Sequence, residues 1–230
     1  MYYPFFYDWT WMLLIPALLV SLWAQMRVSS TFSKYSKVRS GAGVSAAQMA
    51  ERMLHGEDIH DVAIERVRGN LTDHYDPKHL VLRLSDSTAN SDSVAALGVA
   101  AHEVGHVLQH RDGYRPLMLR TAAVPVVNIS SNLSWPLFIL GLILSWDPLI
   151  NVGIALFSLA VLFALITLPV EFNASKRAIA ALESGGYLQG EGLAGAKKVL
   201  SAAAMTYVAS AFMAIMQLLR LLALSGSRRD

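Results

Sequence analysis

The sequence predicts a mainly α membrane protein in which three or four transmembrane helices carry a small cytoplasmic α+β domain containing a β-hairpin. Three observations lead there. Of 230 residues, 54% are hydrophobic and 16% charged, whereas soluble domains average about 45–50% and about 25%. Charge-free runs span 9–26, 121–146 and 149–170, and a fourth apolar stretch, 202–224, is broken by Gln217 and Arg220. Between the first two runs lies a polar segment with helix and strand signals of its own.

The run 9–26 is 18 residues long, near the lower limit for crossing a bilayer. Tyr2, Tyr3, Phe5, Phe6, Tyr7, Trp9 and Trp11 crowd its start like an interfacial aromatic belt. With no Lys or Arg ahead of it and a long apolar core, it reads as a retained anchor over 1–26 rather than a cleaved signal.

The segment 27–120 is expected to form the soluble domain. Ser45-Ala46-Ala47-Gln48 has capping-box form and starts a helix that Gly56 ends. Residues 62–67 and 80–84 alternate apolar with polar, as half-buried strands do, and Asp73-His74-Tyr75-Asp76-Pro77 between them is turn-like. The two strands are expected to pair as a hairpin whose free edge offers backbone groups to an extended polypeptide. A further helix, about 92–110, follows Ser91-Asp92-Ser93, which supply capping side chains.

The runs 121–146 and 149–170, joined by a turn at Asp147-Pro148, are expected to make a transmembrane hairpin over 121–170. Asn128 and Asn132 share one face and are expected to bond to a neighbouring helix. A cytoplasmic piece, 171–201, then leads to a C-terminal apolar helix and tail, 202–230. Spanning suits that helix better than lying in the interface, although Arg228 and Arg229 beyond it argue against a full crossing. Arg27, Lys34, Lys37 and Arg39 follow the first run, Arg115 and Arg120 precede the second, and Lys176 and Arg177 follow the third, while the turn near 147 carries only an Asp. The positive-inside rule therefore puts 27–120 and 171–201 together in the cytoplasm of a multi-pass inner-membrane protein.

The chemistry sits in His102-Glu103-Val104-Gly105-His106, an H-E-x-x-H pattern. On a helix, residues four apart lie about 40° apart around the axis and roughly 6 Å along it, so two imidazoles reach one Zn²⁺ from the same side. Glu103 is placed to act as a general base without being a ligand, on water whose pKa zinc lowers to about 7. The residues before His102 are small and apolar, as in a buried helix, where two imidazoles and a carboxylate need a partner. A plain core helix with hydrogen-bonded histidines is the bland alternative.

A third ligand is required if one position is to stay open for water. His110 lies eight residues after His102, turned about 80° away. Glu171 is the better candidate, since a carboxylate directly after a long apolar run calls for a partner. Its alternative is an interfacial Glu solvated by headgroups or paired with Lys176 or Arg177.

Four pieces together resemble the YugP-like neutral zinc metallopeptidases, small bacterial membrane proteins. They are Leu71-Thr72-Asp73-His74-Tyr75-Asp76-Pro77, Leu82-Arg83-Leu84-Ser85, Ala101-His102-Glu103-Val104-Gly105-His106 and Leu168-Pro169-Val170-Glu171-Phe172-Asn173-Ala174-Ser175. The broader likeness is to gluzincin membrane proteases such as HtpX and the CAAX prenyl proteases. The resemblance implies a zincin-like catalytic domain, Zn²⁺ as cofactor, and His102, His106 and Glu171 as ligands. HtpX-type proteins carry an Asp four residues beyond the ligand Glu, and here that position is Ser175. Asn173 and Ser175 are candidates for supporting the ligands, and His74, Tyr75 and Arg83 for stabilising an oxyanion.

The function expected is a membrane-embedded zinc endopeptidase acting on membrane or membrane-proximal polypeptides. The rivals are a non-catalytic metal-binding sensor or scaffold on a protease fold, and a small transporter with an intramembrane metal site. The expected partners are a polypeptide substrate and the lipid bilayer. With 19 basic against 17 acidic residues and no basic-aromatic stripe, nucleic acid is not among them. No cysteine is present, which excludes disulfides and thiolate ligation. Nothing in the sequence sets an oligomeric state.

Overall fold

A computed structural model describes residues 9–226. The elements are a 3₁₀ turn Trp9–Leu13, α1 Leu14–Tyr35, α2 Ala46–Gly56, β1 Ala63–Val67, β2 His74–Asp76, β3 Val81–Ser85, α3 Asp86–Ala89, α4 Val94–Arg111, α5 Arg115–Ile143, α6 Asp147–Ser184 and α7 Gly190–Gly226. The protein is therefore a mainly α membrane protein with a small α+β part, as its composition predicts. Among the described residues, four helical stretches are long and apolar enough to cross a bilayer: Trp9–Tyr35, Arg115–Ile143, Asp147–Ser184 and Gly190–Gly226. The aromatic residues 2–7 and the Arg228-Arg229 pair lie outside the described residues.

The chain divides into two compact units. The first takes in 9–25, 118–168 and 206–226 of the described residues. Here α5 and α6 pack closely because glycines face them: a Cβ on Gly141 would stand 2.7 Å from the backbone N of Ile150, and one on Gly153 2.8 Å from the backbone N of Phe138. Small residues at such crossings are what brings membrane helices together. Phe138, Ile150 and Leu221 form the buried cluster beside them. Asn128 and Asn132 are exposed, contrary to the expectation above, and Ser130 and Ser134 are buried instead. The two seryl hydroxyls donate to Val126 O at 2.8 Å and Ser131 O at 3.0 Å within their own helix, so a polar group there needs no neighbour. The turn into α6 also differs from expectation. It falls at 144–146, with Ser145 at φ 53°. Asp147 and Pro148 instead open α6, where proline's missing N–H forfeits no helical bond. Arg220, which interrupts the fourth apolar stretch, is buried, with Nε 3.3 Å from Thr10 Oγ1 and its guanidinium 3.8 Å above the Trp11 ring. That contact lets α7 run through the charge without a break.

The second unit comprises 26–117 and 169–205. Its core joins Met49, Leu54, Leu82, Leu84, Leu97, Val104, Leu182 and Leu200, and α4 runs through it with Ala95, Ala96, Leu97, Ala100 and Ala101 all buried. The Ser45 capping box forms as predicted: Gln48 N–H donates to Ser45 Oγ at 3.3 Å and Ser45 N–H to Gln48 Oε1 at 3.0 Å. Ser93 caps α4, accepting from Ala96 N–H at 3.2 Å.

The sheet corrects the expected hairpin. Its order is β1-β3-β2. β1 runs parallel to β3, with Ala63 opposite Val81, and the antiparallel partner of β3 is β2, with Tyr75 opposite Leu82. His74, Tyr75 and Asp76, turn-like in the sequence, thus form a strand. The true hairpin turn follows Asp76, and Leu80 there adopts φ 53°. Parallel neighbours need a crossover, and the chain between β1 and β2 provides it. Its end is pinned by Asp73, whose carboxylate accepts from Ser85 N–H at 2.8 Å, Ser85 Oγ at 2.9 Å and Thr88 Oγ1 at 3.2 Å.

The end of α4 is tied to α6 by charge. Asp112, the C-cap, pairs with both Arg177 and Arg111, and hydrogen bonds from those guanidiniums hold its carboxyl below the ordinary carboxylate range. A depressed folded-state pKa contributes stability above the unfolded value of about 3.9, which is lost as pH falls through the folded value. Asp112→Asn is therefore expected to lower Tm by about 1–3 °C at pH 7, since the pair is partly solvated. The gap from wild type should narrow below about pH 4. Thermal unfolding of both proteins at the two pH values checks this, and a gap that widens in acid would show that the pairing is not its source.

Candidate metal centre

Helix α4 presents His102 and His106 one turn apart, and α6 presents Glu171 to them. Nε2 of His102 stands 3.1 Å from Glu171 Oε2, and Nε2 of His106 stands 3.8 Å from the same oxygen. The rings are nearly perpendicular, at 84°, with centroids 4.8 Å apart. Donors about 2.0–2.1 Å from a tetrahedral zinc sit about 3.3 Å from one another, and the two separations bracket that spacing. The potential ligand atoms of the three residues all lie within 4.8 Å of one another. The donor set, two imidazoles and a carboxylate with no thiolate, suits zinc with an open position. Glu171 is 2% exposed, against 9% for His106 and 14% for His102, so the centre meets solvent on the His102 side.

The helices meet closely because of a glycine inside the motif. A Cβ on Gly105 would lie 2.5 Å from the carbonyl oxygen of Ala174, inside any allowed contact. Glycine here is a requirement of the α4–α6 approach, and that approach is what carries Glu171 to the histidines. Glu103, beside His102 in sequence, is buried. Burial opposes charge on His106, but the carboxylates of Glu171 and Glu103 outweigh it and hold that imidazole above its usual pKa.

Of the two supporting residues the sequence suggests, Ser175 lies against a histidine, its Oγ 3.1 Å from His102 Nδ1. Gln109, fully buried, has Oε1 3.0 Å from His106 Nδ1. Asn173 touches neither histidine in this network. It accepts from Gln109 Nε2 at 3.0 Å and from Arg177 Nε at 2.9 Å. Sequence reasoning passed over Gln109, although a polar residue three after His106 shares its helix face. His110 is held elsewhere, with Nδ1 2.8 Å from the Tyr75 hydroxyl, whose pKa burial and the nearby Asp61 and Asp76 push up to about 12. His74 is exposed, with Nδ1 2.9 Å from Thr72 O. Arg83 reaches Glu65 and Asp76, each at 3.2 Å.

A membrane protein carrying an H-E-x-x-H helix and a converging glutamate is of the zinc-peptidase class, and residues 10–226 match the family described as "Putative neutral zinc metallopeptidase". The chain belongs to that family, and membership implies Zn²⁺ as its cofactor. It is also 49% identical, over 218 residues, to the "Putative membrane protease YugP" of Bacillus subtilis (strain 168), covering 95% of this chain and 97% of that protein. No solved structure matches it.

Proposed function

We propose that the protein is a membrane-embedded zinc endopeptidase whose metal is held by His102, His106 and Glu171 and whose general base is Glu103. The observation that carries this reading is the convergence of three ligand atoms from two helices beside a buried carboxylate that is not one of them. Zinc bound there would polarise a substrate carbonyl and acidify a water molecule. Glu103 would hold at its carboxylate the proton lost by an attacking water and pass it to the leaving amine. His102 and His106 orient the site, and the α4–α6 packing keeps one side of it dry.

The substrates proposed are membrane or membrane-proximal polypeptides, because the chain is itself anchored by apolar helices. β1 is an edge strand, and its free side offers backbone groups to an extended chain. The distribution of Lys and Arg supports placing the site on the cytoplasmic face.

Glu171→Ala is expected to reduce the zinc content of purified protein to well below one per chain. Metal analysis of wild type and variant decides it, and unchanged stoichiometry would remove Glu171 from the ligand set. Casein cleavage abolished by a zinc chelator and restored by Zn²⁺ separates a peptidase from a metal-binding sensor, which would bind the ion and cut nothing.

A further inference from the structure

We propose that Gln109 is a positioning residue that fixes the tautomer of His106 and locks the two ligand-bearing helices in register. The proposal rests on the metal reading above and assigns a role to a residue outside its ligand set. Gln109 lies three residues after His106 on α4 and is fully buried. Its Nε2 is 2.8 Å from the carbonyl oxygen of Val170, the residue just before Glu171 on α6. A backbone carbonyl only accepts, so the atom facing it must be the amide nitrogen. The second amide hydrogen goes to Asn173 Oδ1 at 3.0 Å. That oxygen is identified in turn by Arg177, whose Nε, a pure donor, lies 2.9 Å away.

With both amide hydrogens committed to α6, the Gln109 oxygen is left for His106 at 3.0 Å and can only accept. His106 must therefore carry a proton on Nδ1, which leaves Nε2 as its one nitrogen able to bind a metal. Nε2 faces the Glu171 carboxylate at 3.8 Å. The tautomer that Gln109 imposes is the one that binds metal through Nε2. Ser175, beside His102, has a hydroxyl that both donates and accepts, so it imposes no such choice. One side chain thus orients a ligand on α4 and grips the turn of α6 that delivers the other.

The test uses the full-length protein in detergent, with Zn²⁺ affinity read by chelator competition and Co²⁺ absorption as a report on ligand geometry. Gln109→Met keeps length and removes the acceptor, and it is expected to weaken Zn²⁺ binding about 10–100-fold. Gln109→Leu, which fills the space with neither an acceptor nor a donor, is expected to behave as Met does and to share its altered Co²⁺ spectrum. If Gln109 merely fills space, both apolar variants pack there and bind Zn²⁺ as wild type does. Met or Leu binding Zn²⁺ as tightly as wild type overturns the proposal. Should Gln109→Met fail to fold, ¹⁵N spectra of histidine-labelled, zinc-loaded wild type serve. The expected His106 ring is protonated on Nδ1, and protonation on Nε2 overturns the proposal. Wild type whose zinc survives Glu171→Ala defeats the metal reading itself. Wild type that needs Glu171 but is indifferent to Gln109→Met defeats only the positioning role.

Discussion

Glu103→Gln is expected to lower kcat/KM for peptide hydrolysis by about 10²–10⁴-fold while zinc content stays at the wild-type level. The amide has the shape of the carboxylate, so the buried position beside His102 remains filled. It cannot take a proton, so the step that generates the nucleophile and the one that protonates the leaving amine both fail. Glu103 is not among the three residues whose ligand atoms converge, which is why its replacement should spare the metal. Cleavage of casein or a quenched peptide, measured beside metal content on the same preparation, gives both quantities. A variant that cuts at the wild-type rate would show that another group is the base. A variant that loses zinc in proportion to activity would place Glu103 in the ligand set.

The second large effect is steric. Gly105→Ala puts a methyl 2.5 Å from the Ala174 carbonyl oxygen and 3.1 Å from its carbon. These are backbone atoms, which cannot turn aside as a side chain does, so α4 and α6 must part by about 1 Å. Overpacking of this kind destabilises by about 1–3 kcal/mol. Zinc suffers more than stability, because the ligands lie on both sides of the gap and coordination tolerates only about 0.2 Å. Zinc affinity should fall at least about tenfold, which matches about 1.4 kcal/mol. Gly98→Ala is the control on the same helix. Its methyl would meet the Ala196 side chain at 3.5 Å, an ordinary contact, and alanine's helix preference favours it by up to about 1 kcal/mol. That variant should keep zinc and melt no lower than wild type. Equal zinc affinity in both variants would mean that the close approach at Gly105 does not hold the centre together.

The local features were legible because each is written in neighbouring residues. The Ser45 capping box, the Ser93 cap and the His pair on one helix face depend on spacings of three or four, which backbone geometry alone enforces. The apolar runs announce spanning helices because lipid demands continuous hydrocarbon. Strand pairing was not legible in this way. Alternation at 62–67 and 80–84 marks two strands, but it says nothing of direction, and three residues of β2 give too short a pattern to separate from a turn. Asn128 and Asn132 share a face by spacing, yet the buried face belongs to Ser130 and Ser134, and only the neighbouring helices decide which face that is.

From sequence alone came the fold class, the helix that carries the candidate ligands and the expectation of a distant carboxylate, since periodicity, hydropathy and ligand chemistry are local properties of a chain. Tertiary structure alone decided that Ala174 crosses at Gly105, that Gln109 rather than Asn173 reaches a histidine, and that His110 pairs with Tyr75. The physical reason is distance along the chain. Glu171 is 69 residues from His102 yet 3.1 Å away in space, and such proximity follows from how helices pack rather than from anything either segment carries by itself.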